Sequence, residues 1–573
     1  MRRPGLWLAV GALTAGIVLL GAAGCGSSSG GSGSVGSSAP GGQSNVPHVN
    51  GGTLKVAAHG DIDFIDPALA YYQTSWQVEY ATCVKLLNYP DKSGDAGKVL
   101  TPEAASAMPT VSADGKTYTF TVPAGKYKFN TGEPVTAATF QHALERDLSP
   151  KQASYFGATF LNDIQGASGY KGLPAHVSGI KVTGDKLAIT LTEKDAGFLS
   201  KVATPFACAI PKDTPINSKG VQSIAGAGPF YIANWVQHRS LVLKKNPYYH
   251  GPRPRYLDEI DYNQLTIDQN QGTLELKNGQ LDYCPDCVPG SENFQLNQEF
   301  GPDGTSTKQT GNQRFFITPA AIISYFALNT ARPTFKNPLV RQAVNWAIDR
   351  PAIEKPYGYG YGTPGDKILP PALPGSQFEK SMYPVTSPTS ADISKAKALI
   401  KQAGVKTPLT AIEYSTAGTP SVSQGDAVLT ANLAKIGITV KPKYFTRALQ
   451  FQNEGTKGVA MDIANEGWIE DYPDPYDFMN ILLSGENIPK TGGNNFAYFD
   501  VPKYNQQMDH ANTLSGNARY QTYGNIATDM MKNDPPWAPW LYTNNIDFFG
   551  PKVGCTVDTP SYIMDLTTMC LRK

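Results

Sequence analysis

Leu409-Thr-Ala-Ile-Glu-Tyr414, a helical run from about Gln424 to Ile436, and Ile438-Thr-Val-Lys-Pro-Lys-Tyr444 together decide the fold class. The two outer segments read as strands, and Gly437 separates the helix from the returning strand. A strand–helix–strand crossover joins parallel strands, so this part of the chain is an α/β layer.

Working outward, Leu339 to Asp349 carries apolar residues at helical spacing (Leu339, Val340, Ala343, Val344, Ala347, Ile348). Ser390 caps a predicted helix that runs to Ala403 and stops at Gly404. The first half has another character. It opens with a strand, Gly52 to Ala58, followed by the loop signal Asp66-Pro67. Thr117-Tyr-Thr-Phe-Thr-Val122 alternates behind the turn Asp114-Gly115, and Lys126-Tyr-Lys-Phe129 repeats the alternation before Thr131-Gly132. The pattern predicts an antiparallel meander buried on one face, with a helix following from Thr136 to Arg146. A strand-rich first half and an α/β second half make the chain at least bilobal.

The N-terminus has the marks of export. Arg2 and Arg3 precede an apolar run from Leu6 to Leu20, then Gly21-Ala-Ala-Gly24 and Cys25. The cysteine after small residues looks like the lipobox of a bacterial lipoprotein, in which the signal is cut before an acylated cysteine. Ala22 stands where that pattern usually has leucine. An uncleaved span over Gly5 to Gly24 is the competing reading. From Gly26 to about Asn50 the chain is a Gly/Ser-rich tether reaching about 25–30 Å. Its formal G-x-S-x-G match at Gly26 to Gly30 has no strand-turn-helix around it and is discounted as a nucleophile elbow.

The whole chain of 573 residues carries 49 basic and 48 acidic side chains, and removal of Arg2 and Arg3 leaves a net charge of −1. Nothing here has the basic footprint that nucleic acid requires. Beyond Cys25 the six cysteines are an even set in an exported chain, which favours disulfides. The reading pairs Cys284 with Cys287, Cys555 with Cys570, and Cys83 with Cys208. Cys284-Pro-Asp-Cys287 lacks a second ligand pair, so no metal site and no cofactor are expected.

Several motifs then fall into a known order: Asp114-Gly-Lys-Thr-Tyr-Thr-Phe120, Phe129-Asn-Thr-Gly-Glu-Pro-Val-Thr-Ala137, Gly226-Ala-Gly-Pro-Phe230, Asn246-Pro-Tyr-Tyr249 and Tyr256-Leu-Asp-Glu-Ile260. Ala327-Leu-Asn-Thr330, Val340-Arg-Gln-Ala-Val-Asn-Trp-Ala-Ile-Asp-Arg350 and Gly467-Trp-Ile-Glu-Asp-Tyr-Pro-Asp-Pro475 complete the series. With them the chain resembles the solute-binding proteins of peptide ABC importers, the oligopeptide and dipeptide binding family, from about Gly52 to Asp547. Two positions depart from that pattern: Pro123-Ala124 replaces a basic residue, and Thr139 an acidic one.

The resemblance implies a bilobal periplasmic-binding-protein-like α/β fold with hinge segments and an extra strand-rich subdomain. Its division runs 1–24 signal, 25–50 lipidated cysteine and tether, 51–80 with 215–315 and 535–573 as the first lobe, 81–214 as the subdomain, and 316–534 as the second lobe. It also implies a monomer on the outer face of the cytoplasmic membrane, held in the bilayer by acylated Cys25. Its partners would be a peptide ligand and the permease subunits.

The implied ligand segment is Gly467-Trp468-Ile469-Glu470-Asp471, an extended stretch pairing its backbone with the peptide. Asp471 matches the family's acceptor for the ligand's α-ammonium, a group that needs an opposite charge once it leaves water. The other reading of Asp471 is a turn residue beside Asp474, which caps a helix from Tyr476 to Leu483. Trp468 reads as a wall of the site or as core packing, and Tyr357-Gly-Tyr-Gly-Tyr361 as a binding loop or an interface loop. Arg341, Asp349 and Arg350 read as surface or capping charges. For the peptide carboxylate, Arg332 and Lys355 arise only by elimination.

The nearest rival keeps the fold and takes an oligosaccharide, nickel chelate or haem, with Trp346, Trp468, Trp537 and Trp540 available for sugar rings. A secreted hydrolase would need a nucleophile–base pair or metal cluster, and the sequence shows neither HExxH nor a credible serine elbow. No P-loop is present to hydrolyse ATP. No catalytic residue is assigned.

Overall fold

The computed structural model describes residues 46–560 and 563–573. The signal segment, Cys25 and most of the tether lie outside them. His48 and Val49, read above as tether, instead pair with Arg572 and Leu571. The opposite edge of that C-terminal strand is taken by Val553 and Gly554, so His48 and Val49 close the remaining one.

The first half is built on a four-stranded sheet in the order Thr53–Ala58, Glu259–Leu265, Ser240–Lys245, Phe230–Val236. Thr53–Ala58 runs parallel to Glu259–Leu265 and the other pairs are antiparallel. Leu54, Val56, Leu241, Leu243, Ile260 and Tyr262 fill its core. Gly228, just ahead of Phe230, lies against the chain at Ala81, where a Cβ would come within 2.6 Å of a carbonyl oxygen.

The strand-rich insertion holds an antiparallel sheet ordered Thr110–Val111, Thr117–Thr121, Lys186–Thr190, Ile180–Thr183. The expected meander partner, Lys126 to Phe129, is no strand. It makes only a bridge from Lys128 to Pro134 around Gly132, held by the Phe129 N–H on the Glu133 carbonyl at 2.9 Å and the Val135 N–H on the Tyr127 carbonyl at 3.0 Å. The helix Ala137–Asp147 follows, and Thr139 Oγ1 accepts the N–H of the N-cap Thr136 at 3.2 Å. A short hydroxyl here does the work of the missing carboxylate.

In the second half the crossover forms as read. Leu409–Thr416 and Ile438–Phe445 are parallel, in register from Leu409↔Ile438 to Thr416↔Phe445. The connecting helix starts earlier, at Pro420, where a first-turn proline loses no hydrogen bond. Thr389 rather than Ser390 caps the helix Ser390–Gln402, accepting from Asp392 N at 3.2 Å. This helix, Pro338–Ala347 and Pro420–Ala434 pack Val340, Val344, Ala396, Ile400, Leu429 and Leu433 onto the sheet.

Arg341 and Arg350 are not surface charges. Both are buried, and their guanidinium groups donate to carbonyls at Pro535, Phe335, Gly365 and Pro539, tying helix ends to loops. Asp349 does cap, accepting from Ala352 N at 3.1 Å.

Two long antiparallel strands, Phe315–Leu328 and Trp537–Phe548, run through both halves. At one end Phe315 and Phe548 pack with Leu276, Leu281, Cys284 and Phe300. At the other, Phe326, Leu328, Ala538 and Leu541 join the core of the second half. A lobe boundary at 534 therefore removes a strand from its own sheet, because Trp537–Phe548 lies between Gly362–Pro364 and Phe315–Leu328. Midway the pairing breaks. Pro319 opposes Asn544 and Ile323 opposes Tyr542, so three residues of one strand face Thr543 alone in a bulge.

Disulfides join Cys83 to Cys208, Cys284 to Cys287 and Cys555 to Cys570, the pairs read from the sequence. The first staples the two ends of the insertion. Beside it, Arg146 forks onto Asp66 (Nη1–Oδ1 2.7 Å, Nη2–Oδ2 2.6 Å), with both side chains buried. Arg146→Ala would strand Asp66 without its counter-charge, and we expect a loss of about 3–5 kcal/mol in denaturant unfolding, with the wild-type slope.

Candidate functional site

The strand Ile463–Ile469 is the centre of the site. On one side it pairs with the long strand, Ile469 opposite Ile322, Trp468 opposite Ile323 and Gly467 opposite Ser324. On the other it meets Leu409–Thr416 only at Ile463 and Ala464. From Asn465 onward that edge has no strand partner among the described residues, and backbone polar groups along an open edge are ready to pair with an extended chain. On the paired side Gly467 packs close to the long strand, where a Cβ would stand 3.0 Å from the Ile323 carbonyl.

The open edge faces a cleft of about 740 Å³ between the halves. Gly467, Trp468 and Ile469 line it, opposite Tyr283 and the segment from Pro285 to Ser291. Trp468 serves both roles left open by the sequence: it faces the cleft, yet it is buried and donates its indole N–H to Asp477 at 3.1 Å. Tyr357 and Tyr361 also line the cleft, their rings stacked at 4.9 Å.

Asp471 stands just past this edge and does not line the cleft. Asp477 accepts its backbone N–H at 2.8 Å, and its own carboxylate accepts the Tyr71 hydroxyl at 3.1 Å, across the halves. Tyr71 packs in turn on Tyr155 and Phe206. Asp474 caps the helix Pro475–Leu483, accepting from Tyr476 N at 2.8 Å, and is held by the Arg519 guanidinium.

Three acids here are buried without a basic partner in hydrogen-bond contact: Glu470, Asp471 and Asp477. Removal from water pushes Asp471 up to about 7 and Glu470 up to about 8, and Asp477 well above the usual carboxylate range. Neither oxygen of Glu470 has a partner among the described residues.

Sequence reasoning missed Tyr71 and Arg447. Tyr71 lies 400 positions from Asp471, and no local pattern joins them. Arg447 lines the cleft and forks onto the buried Glu466 at 2.8 Å through both nitrogens. Its signal was a cation just past the second crossover strand. Arg332 is committed to Asp462 at 3.2 Å, and neither it nor Lys355 lines the cleft.

Two halves crossed by a pair of strands, with an open strand edge in the cleft between them, form a receptor that encloses a solute. The comparisons agree. The sequence profile of the bacterial extracellular solute-binding proteins, family 5, matches residues 99–490. The dipeptide-binding protein DppE of Bacillus subtilis (strain 168) is 25% identical over 520 residues, covering 87% of this chain and 88% of that protein. The glutathione-binding protein GsiB of Escherichia coli (strain K12) is 26% identical over 436 residues, 75% of this chain and 78% of its own. Among solved structures, clavulanic acid biosynthesis oligopeptide binding protein 2 superposes with a TM-score of 0.81 at 21% identity, covering 94% of this chain and 99% of that one. The periplasmic binding protein DppA from Helicobacter pylori, in complex with peptide STSA, gives 0.73 at 23% identity, covering 92% and 99%. The chain belongs to the bacterial extracellular solute-binding proteins, family 5.

Raised carboxyl groups set a pH dependence with a definite sign. In the unfolded chain Asp and Glu titrate near 4. The folded protein therefore keeps protons that the unfolded chain has released, and stability falls as pH rises from about 4 through 7 to 8. Thermal unfolding of the ligand-free protein across pH 5 to 8.5 should show Asp471→Asn and Glu470→Gln each flattening that decline.

Proposed function

We propose that this protein captures peptides in the cleft, closes its two halves around them and delivers them to the permease of an ABC importer. In this reading it catalyses nothing. It works as a monomer outside the cytoplasmic membrane, anchored through acylated Cys25. The observation that carries the proposal is the open edge of Gly467–Ile469 leading to a buried pair of acids, Asp471 and Asp477, with no basic side chain among their described hydrogen-bond partners.

A peptide extended along that edge advances about 3.3 Å per residue. Its amino end would reach Asp471 about two residues beyond Ile469. There the ammonium takes the place of the proton that burial otherwise holds on the acids, and draws on the acceptor now used by Tyr71. Main-chain pairing supplies affinity without demanding particular side chains. The bulge between Pro319 and Ile323 gives closure a place to bend, where the ladder is already interrupted. The relatives named for dipeptide and glutathione support a small peptide cargo.

Sugar binding finds less support. Trp537 and Trp540 are buried, and of the chain's four candidate tryptophans only Trp468 lines the cleft. A receptor for sugar rings places aromatic faces against the ligand.

The test is thermal unfolding of ligand-stripped protein at pH 8 with a tripeptide pool and with its N-acetylated counterpart. At a hundred times Kd, free peptides should add about 2.7 kcal/mol and acetylated ones almost nothing. Stabilisation by neither pool would sink the peptide reading. Because the acids must ionise to receive an ammonium, affinity should fall as pH drops below about 7, and Asp471→Asn should remove most of the free-amine preference.

A further inference from the structure

Asp547 is an acid the peptide reading leaves unused. It lies near the end of the long strand Trp537–Phe548 and lines the cleft, yet it is only 4% exposed. One oxygen accepts the Tyr283 hydroxyl at 3.1 Å, and Oδ2 has no partner among the described residues. An unpaired carboxylate oxygen in so dry a place is costly unless something arrives to meet it.

The surroundings add two acids, and His59 is the base that stands beside one of them, Asp286. Asp558 is buried behind it, pushed up to about 7 by loss of water, with Asn545 donating to it at 3.4 Å. Asp286 stands exposed at the cleft wall. Among the described residues lining the cleft, Arg447 is the one cation, and Glu466 holds both of its terminal nitrogens.

This place is separate from Asp471. Asp547 is opposite Phe316 on the neighbouring strand and Ile469 is opposite Ile322. Along the unbulged partner strand Asp547 is five steps from Tyr542, which faces Ile323 and, across it, Trp468, a span of about 17 Å. One ammonium cannot serve both places, whereas a second positive charge several residues along an extended ligand can.

We propose that Asp547, with Asp286 at the wall, is a recognition subsite for a basic side chain, and that the preferred cargo is a peptide carrying lysine or arginine beyond its amino end. This rests on the peptide reading above and deepens it. The neighbouring Tyr283 hydroxyl holds one carboxylate oxygen, leaving Oδ2 to accept from the incoming ammonium or guanidinium. Such a charge-assisted hydrogen bond in a dry site is among the stronger contacts a ligand can make.

The experiment is titration calorimetry at pH 8 with alanine pentapeptides bearing one lysine at positions two to five, each paired with its norleucine counterpart of similar length and no charge. At one or more positions lysine should bind at least tenfold tighter than norleucine, and Asp547→Asn should bring that ratio close to one. Asp286→Asn should lower it less. Asparagine keeps an acceptor for Tyr283, and an unchanged unfolding midpoint checks that the variant is folded. A ratio near one at every position in the native protein overturns the proposal, as does a ratio that survives Asp547→Asn. If no pentapeptide binds, the tripeptide pool above decides whether the peptide reading itself has failed. 1,5-Diaminopentane then tests the cation subsite alone: binding lost in Asp547→Asn upholds it, and no binding overturns it.

Discussion

The pairing of Phe315–Leu328 with Trp537–Phe548 is the interaction on which the rest depends. One ladder of backbone hydrogen bonds passes from the core of the first half into the core of the second. Everything that lines the cleft is referred to it. Tyr283 stacks on Phe549 and bonds to Asp547 at one end, and the strand bearing Trp468 is laid against Ile323 at the other. The ladder is continuous where both strands are paired and interrupted where three residues face one.

Around that spine the chemistry is one-sided. Glu470, Asp471, Asp477, Asp547 and Asp558 are buried acids whose described hydrogen-bond partners are hydroxyls, amides, an indole and one another. Three buried carboxylates elsewhere in the molecule carry a basic partner. Asp66 has Arg146, Asp195 has Lys201 and Asp474 has Arg519. Loss of water favours the neutral form of the acids at the cleft.

How far the sequence could be read depended on the reach of each interaction. The crossover from Leu409 to Phe445 was legible because its pattern is local, and the same holds for the cap at Asp474. Gly467–Ile469 could be found because a whole motif surrounds it. The strand Trp537–Phe548 was assigned to the first half alone, since nothing within it records that it also joins the sheet of the second or that its neighbour begins 222 residues earlier, at Phe315. Arg341 and Arg350 were misread for a like reason: what buries them is the loop carbonyls of Pro535 and Gly365, far from their own helix. Asp547 gave no signal, being one acid behind the polar run Thr543-Asn-Asn545 near the end of its strand.

His48 and Val49 have a mechanical consequence. They pair antiparallel with Leu571 and Arg572, and Lys573 N donates to Pro47 O at 3.1 Å. The Cys555–Cys570 disulfide crosslinks the same small sheet. A pull along the segment entering at residue 46 is therefore met first by this crosslinked patch, which acts as a strain relief.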